Sequence, residues 1–263
     1  MRLSDLIALP VTWRTVRAPL RYLRNRRSHE GAAHFDVELR DGTVARLRGG
    51  TRDGHVFHRI FVDDEYRLRG LDLTGAWVVD VGAHGGYFAL RAAMAGARVV
   101  CVEPAPDNLA LLRHQIARNA LQERIVIRPG ALGAVAGRVT LRCDGDPYAY
   151  AVARSDGGGG IRDLDVACST LAELFDEVPI ARCALLKLDC EGSEYEIIES
   201  VPQSVLERCD RIRMELHFTN QLEDAPNALR RRLEGCGFRI ELCDIKRNRR
   251  QGYLFCSRER ASA

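Results

Sequence analysis

Trp77-Val78-Val79-Asp80-Val81 is a short, mostly apolar run that ends in Gly82-Ala83-His84-Gly85-Gly86, and a stretch with helical spacing follows it. A second apolar run, Arg98 to Glu103, closes on an acid. A strand, a glycine turn, a helix and a second strand can bury their apolar faces together as a right-handed βαβ unit. Such a unit presents whatever the glycine loop holds at the carboxyl end of a parallel sheet. An α/β fold is therefore set before the rest of the chain is read.

The same alternation continues downstream. Strands are expected at Trp77–Val81, Arg98–Glu103, Ile125–Arg128, Ala184–Asp189 and Arg211–His217, and helices at Gly86–Ala95, Pro106–Asn119, Ser193–Ser200 and Ala225–Glu234. Gly237–Leu242 and Gly252–Cys256 flank an arginine-rich turn and should form an antiparallel terminal hairpin at the sheet edge. Val139–Leu141 and Val166–Cys168 add short strands on either side of Ser155-Asp156-Gly157-Gly158-Gly159-Gly160, a run that reads as a loop, either a connector or part of a cover over substrate. Residues 1–70 form an extension to a core domain of residues 71–263. Trp13, Val16, Leu20 and Leu23 predict one basic amphipathic helix over Trp13–Arg27, which Pro19 interrupts. Asp41-Gly42 predicts a β-hairpin between His34 and Leu47, and Phe57, Ile60 and Phe61 a short helix over Val56–Tyr66.

Composition narrows the class. At 263 residues with 46% hydrophobic and 29% charged residues, and no run of roughly 20 apolar residues, the chain reads as a soluble, cytoplasmic protein. The net charge of +3 does not point to a nucleic acid. Nine cysteines without a Cys-x-x-Cys pair read as free thiols rather than zinc ligands or disulfides. Oligomeric state is left open, with a homodimer compatible.

The loop discriminates between cofactors. Gly82 permits the tight turn, Gly86 is expected to let the backbone approach a ligand, and Glu103, 21 positions after Gly82, stands where a carboxylate accepts ribose hydroxyls. A dinucleotide fingerprint needs glycine at the place of His84, and Asp80 would repel a pyrophosphate but accept from the amino group of a methionine moiety, directly or through water. S-adenosyl-L-methionine is therefore the expected cofactor. Asp80, Gly82, Ala83, His84, Gly86, Glu103, Pro104, Asn108, Ala131 and Asp189 are its candidate binding residues, with Asn108 near the ribose and Gly130-Ala131-Leu132 along the adenine.

Lys187-Leu188-Asp189-Cys190-Glu191-Gly192 and Glu215-Leu216-His217 end two neighbouring strands, and period-two alternation puts their polar residues on one side beside the cofactor. An aliphatic hydroxyl needs its proton accepted as it attacks a methyl carbon. Glu191 and His217 are the leading bases. Asp189 and Glu215 would orient substrate, hold cofactor or tune the histidine, and Lys187 would neutralise the acids. A divalent cation held by Asp189, Glu191, Glu215 and His217 is the alternative device, and it is not favoured.

Val78 to Phe88, Val102-Glu103-Pro104, Leu186 to Glu194 and Glu215-Leu216-His217, with Arg48-Gly49-Gly50-Thr51-Arg52-Asp53 upstream, resemble the FkbM family of methyltransferases over roughly residues 42–256. The Lys-x-Asp-x-Glu-Gly run is the most specific element. The resemblance implies a class I methyltransferase, Rossmann-like sheet of seven strands with the last antiparallel. It also implies O-methylation of a hydroxyl on a sugar or secondary metabolite. His84 stands where the family often has Asn, and Gly85 where a larger residue is common. N-methylation of an amine or guanidine, a non-catalytic binding module and a nicotinamide oxidoreductase are the rival readings.

Overall fold

The computed structural model describes residues 3–25, 34–143, 151–152, 162–178, 180–217, 225–246 and 251–258. The glycine-rich run 155–160 and most of the arginine-rich turn at 247–250 lie outside these. The chain opens with helices α1 (Leu3–Thr15) and α2 (Pro19–Asn25), strands β1 (His34–Glu38) and β2 (Val44–Arg48), and helix α3 (Asp53–Phe61). Next come β3 (Trp77–Val81), α4 (Tyr87–Met94), β4 (Arg98–Glu103), α5 (Pro106–Arg118) and β5 (Ile125–Pro129). A second group follows: β6 (Ala131–Leu132), β7 (Gly137–Cys143), β8 (Ala151–Val152), β9 (Arg162–Ser169) and α6 (Leu171–Glu177). The last part holds β10 (Cys183–Leu188), α7 (Glu194–Ser200), α8 (Gln203–Leu206), β11 (Arg211–His217), α9 (Ala225–Gly235), β12 (Arg239–Lys246) and β13 (Gln251–Ser257). No described helix is long and apolar enough to cross a membrane.

Seven strands form the main sheet in the order β12-β13-β11-β10-β3-β4-β5. β3, β4, β5, β10 and β11 run parallel, and β13 lies antiparallel between β11 and β12. Both faces are covered, which is why Val78, Val79, Val99, Val100, Leu185, Leu186 and Met214 are all buried although neighbours in sequence point to opposite faces. Apart from shifts of a residue or two at their ends, the expected strands and helices of this sheet are present. The expected antiparallel terminal hairpin is there too, at the sheet edge, with β12 outermost and β13 against β11.

Several expectations change around this core. The single basic helix breaks at Val16, which leaves helical geometry to bridge Leu39, and Pro19 begins a second helix at the position where its missing N–H costs nothing. The predicted apolar stripe does not survive the break, since Val16 and Leu23 are buried while Trp13 and Leu20 are 47% and 60% exposed. α3 starts three residues before the expected Val56 and stops at Phe61, five before Tyr66. The short strands of the middle segment belong to a separate four-stranded sheet, β6-β9-β7-β8. α6 was not anticipated, although Thr170 and Glu173 form a reciprocal capping box at its start.

The extension shares one apolar cluster with the main sheet. Phe57 is fully buried, stacked on Phe61 at 4.7 Å and edge-on to Tyr87 of α4. β2 would present an open edge, but two side-chain amides of the α5 region close it. Gln115 Oε1 accepts from Arg46 N–H and its Nε2 donates to Arg46 C=O, and Asn119 does the same for Val44. β2 is thereby held against α5 with Arg48 at the top of the sheet.

Two glycines separate close approach from plain turn geometry. Gly82 has φ +73°, and a Cβ there would stand 1.8 Å from the Asp189 carbonyl oxygen; Gly42 has φ +93° and open space around it. Gly82→Ala is predicted to cost more than about 3 kcal/mol in denaturant unfolding, because β3 and β10 must separate, whereas Gly42→Ala costs about 1 kcal/mol. Equal losses would contradict this reading of Gly82.

Candidate functional site

At the carboxyl ends of β3, β4, β10 and β11 lies an open-mouthed cavity. Its walls sort into two ends. One carries Gly82, His84, Glu103, Pro104, Asn108, Gly130, Ala131, Leu132 and Leu141; the other carries Asp189, Glu191, Glu215 and His217 with Arg52, Val56, Arg59 and Ser193.

At the first end Glu103 terminates β4, 4% exposed. Its Oε2 accepts from His84 N–H at 2.7 Å, and its Oε1 from Ala105 N–H at 2.9 Å and Asn108 Nδ2 at 3.2 Å. Burial pushes its pKa up, against those three hydrogen bonds. A carboxylate has about four lone-pair sites, so about one is left for a ligand hydroxyl rather than the two the sequence suggested. His84 adopts φ +52°, a left-handed conformation that aims its N–H at Glu103. Burial pulls its ring down to about 4, so the imidazole is neutral.

At the second end three acids crowd one histidine. His217 Nδ1 is 3.0 Å from Glu194, and its Nε2 is 3.5 Å from Glu191 and 4.0 Å from Asp189. Burial disfavours the imidazolium, but the hydrogen bond and charge of Glu194, then Glu191 and Asp189, outweigh it and raise His217 to about 10. His217 is therefore a cation at neutral pH. Glu215 is pushed up to about 7 by burial and by Asp189, with Arg59 opposing. Its Oε2 accepts from Arg59 at 2.8 Å, while its Oε1 is buried with no hydrogen-bond partner among the described residues. Tyr66 donates to Asp189 Oδ2 at 3.0 Å and stays protonated, because burial and the nearby acids raise it. Glu191 is raised by burial, with His217 pulling the other way, and its φ of +54° turns it out of the strand path.

The segment 80–240, 61% of the chain by those bounds, matches the methyltransferase FkbM domain. The chain belongs to that family. The 31-O-demethyl-FK506 methyltransferase FkbM of Streptomyces tacrolimicus is 28% identical to it over 227 residues, 75% of this chain and 86% of that protein. Among solved structures, a putative transferase of Pyrococcus horikoshii is 13% identical with a TM-score of 0.49, over 86% of this chain and 71% of its own. A putative tRNA (m1A22) methyltransferase of Streptococcus pneumoniae with bound S-adenosyl-L-methionine is 13% identical with a TM-score of 0.46, over 76% and 75%. This FkbM-domain protein is thus a class I, S-adenosylmethionine-dependent methyltransferase, and its seven-stranded sheet with one antiparallel strand is the Rossmann-like arrangement of that class.

The residues of the FkbM-domain cavity fit the cofactor chemically. Pro104, Ala131, Leu132 and Leu141 offer apolar walls to a flat base, Glu103 keeps an acceptor site for a hydroxyl, and Asp189 and Glu191 offer negative charge to a cation. Not every candidate from the sequence reaches this cavity. Asp80 is fully buried and its Oδ1 takes Lys187 Nζ at 2.9 Å, so it braces the loop from below, while its Oδ2 is buried with no hydrogen-bond partner among the described residues. Ala83 packs into the apolar core. Gly86 does not line the cavity; it caps α4 with φ +85°, the left-handed backbone that favours glycine, and a Cβ on it would also meet the Leu112 Cδ1 of α5 at 2.4 Å. His217, as a cation, is not poised as a base in the ligand-free protein. Among the described residues no group of three or more His, Cys, Asp or Glu side chains is placed to hold a metal.

Three participants were missed. Glu194, fully buried, accepts from Cys190 N–H at 2.8 Å, Gly192 N–H at 2.9 Å and His217 Nδ1, so one carboxylate holds both the Glu191 loop and the histidine. Its place two residues after Gly192 was the available signal. Arg59 joins Glu65, Glu215 and Tyr253, and Tyr66 joins Asp189; both come from the segment after β2, where periodicity spoke only of a helix.

Glu194→Gln is predicted to move His217 down from about 10 toward the ordinary 6.5, measured by NMR titration of the ring. The stabilisation from protonated His217 is complete below about pH 6.5 and disappears as pH rises toward about 10, so the melting-temperature advantage of the parent over His217→Gln shrinks across that window. A parent His217 that titrates near 6.5 would contradict the assignment.

Proposed function

We propose that this methyltransferase transfers its methyl group to a hydroxyl oxygen of a sugar or secondary metabolite, with Glu191 as proton acceptor. The observation that carries the proposal is the pairing of Glu191, raised by burial and turned into the cavity mouth, with a protonated His217 at 3.5 Å. The relative from Streptomyces tacrolimicus carries an O-demethyl substrate in its name, which supports oxygen as the acceptor atom.

When bound, S-adenosyl-L-methionine would supply a methyl carbon on a sulfonium, which an oriented nucleophile attacks as the carbon–sulfur bond breaks and the neutral thioether leaves. The protein's share is aim and proton transfer. Glu215 Oε1, lacking a partner, and Arg59 fix the hydroxyl. Glu191 accepts its proton as the oxygen attacks, and the cationic His217 keeps Glu191 ionised until then. Glu194 holds both groups. Glu103, Asn108 and Ala131 would hold the cofactor at the other end.

The pH profile of kcat/KM separates two bases. With Glu191 as base, activity falls on the acid side as Glu191 protonates and falls again near pH 10 as His217 loses its proton. With His217 as base, activity would climb about tenfold per pH unit through neutrality. Labelled methyl transfer to paired hydroxyl and amine acceptors tests the atom. Methyl ether formation that drops about 10²- to 10⁴-fold in Glu191→Gln supports the proposal, and labelling of amines alone, or an active Glu191→Gln, overturns it.

A further inference from the structure

Arg48 ends β2, 7% exposed, upstream of residues 80–240 that match the family's domain and without a part in the scheme above. Its Nε and Nη2 fork onto Asp53 at 2.9 and 2.8 Å, and its backbone N–H donates to Asp53 at 2.9 Å, which fixes the plane of the guanidinium. From that plane Nη2 donates to Asn108 Oδ1 at 2.9 Å and lies 3.3 Å from His84 Nε2.

Arginine only donates. The Asn108 atom that faces it must therefore be oxygen, which turns the amide nitrogen to Glu103, where Nδ2 stands 3.2 Å from Oε1. The His84 nitrogen that faces it must likewise be the bare one; Asp53, at 3.6 Å from the same Nε2, is too far to accept a hydrogen bond from it. In a neutral ring the proton then sits on Nδ1, which is buried and has no hydrogen-bond partner among the described residues. Neither consequence depends on the other, and both bear on the end of the cavity that carries Glu103.

We propose that Arg48 is a positioning residue of the cofactor pocket, a donor-only clamp that selects the Asn108 amide orientation and the His84 tautomer, leaving His84 Nδ1–H as a donor for an acceptor atom of the bound cofactor. The proposal rests on the placement of S-adenosyl-L-methionine in this cavity. It assigns the extension a share in cofactor recognition, through β2 clamped on α5 by Gln115 and Asn119.

Two measurements test it. Ring ¹⁵N shifts of His84 in the ligand-free parent should show the Nδ1–H tautomer, and in Arg48→Gln a mixture or the Nε2–H form; an Nε2–H parent overturns the proposal. Calorimetric binding of S-adenosylhomocysteine should weaken about tenfold in Arg48→Gln, and adding Arg48→Gln to Asn108→Ala should weaken binding further but by less than that, because only the His84 route is left to lose. Because Arg48→Gln leaves Asp53 buried without its partner, Arg48→Gln/Asp53→Asn, which removes the pair together, is measured beside it, with a melting curve to show that each is folded. Glu103→Gln serves as the reference. If Glu103→Gln weakens binding and the Arg48 variants do not, the cavity holds the cofactor and the role of Arg48 falls. If Glu103→Gln binds as the parent does, the cavity placement itself fails and the proposal fails with it.

Discussion

The ammonium of Lys187, 3% exposed near the carboxyl end of β10, joins the parts of the site that sequence keeps furthest apart. It donates to Asp80 Oδ1 at 2.9 Å and to the Gly82 carbonyl at 2.8 Å, lies 3.6 Å from Asp189, and sits over the rings of Tyr66 and Phe88. Burial alone would push such a group toward neutrality, but Asp80 and Asp189 reverse that and hold it charged. One cation thus ties the glycine loop of β3 to the acidic end of β10. Gly82 makes the contact possible, since any side chain there would occupy the space of the Asp189 carbonyl.

Around that tie the charges are arranged so that few of them are alone. Asp189 shares Lys187 and Tyr66, Glu215 shares Arg59 and Tyr66, and His217 is held by Glu194 with Glu191 and Asp189 nearby. Such a cluster is costly to bury and is retained where its charges have work to do. The acids outnumber the cations at the open end, which suits a site that receives a positively charged cofactor. The balance also explains why His217 holds its proton and why Glu215 resists losing its own.

Much of the sheet was legible because fully buried parallel strands read as apolar runs and their helices as 3.6-residue periods. The runs Trp77–Val81 and Arg98–Glu103 needed no tertiary information. The site was legible where alternation puts charged residues at strand ends, as at Asp189, Glu215 and His217. It was not legible where a residue's role depends on a partner distant in sequence. Asp80 also pairs with Lys187, 107 positions away, which nothing in its own segment announces. Gly86 looked like a place for a ligand until Leu112 filled the space beside it. Arg48, Arg59 and Tyr66 lie in a segment where apolar spacing marked only a hairpin and a helix, and spacing does not say which charged side chain turns inward.

The account's central claim is that one cavity receives the cofactor with its ribose at Glu103 and its sulfur toward the Asp189, Glu191 and His217 end. A crystal structure with S-adenosylhomocysteine bound tests this most directly. The account predicts a ribose hydroxyl on Glu103, the adenine between Pro104 and Leu132, and the sulfur facing the acidic end. A ligand bound elsewhere, or lying in this cavity with its sulfur turned away from Asp189 and Glu191, would contradict it.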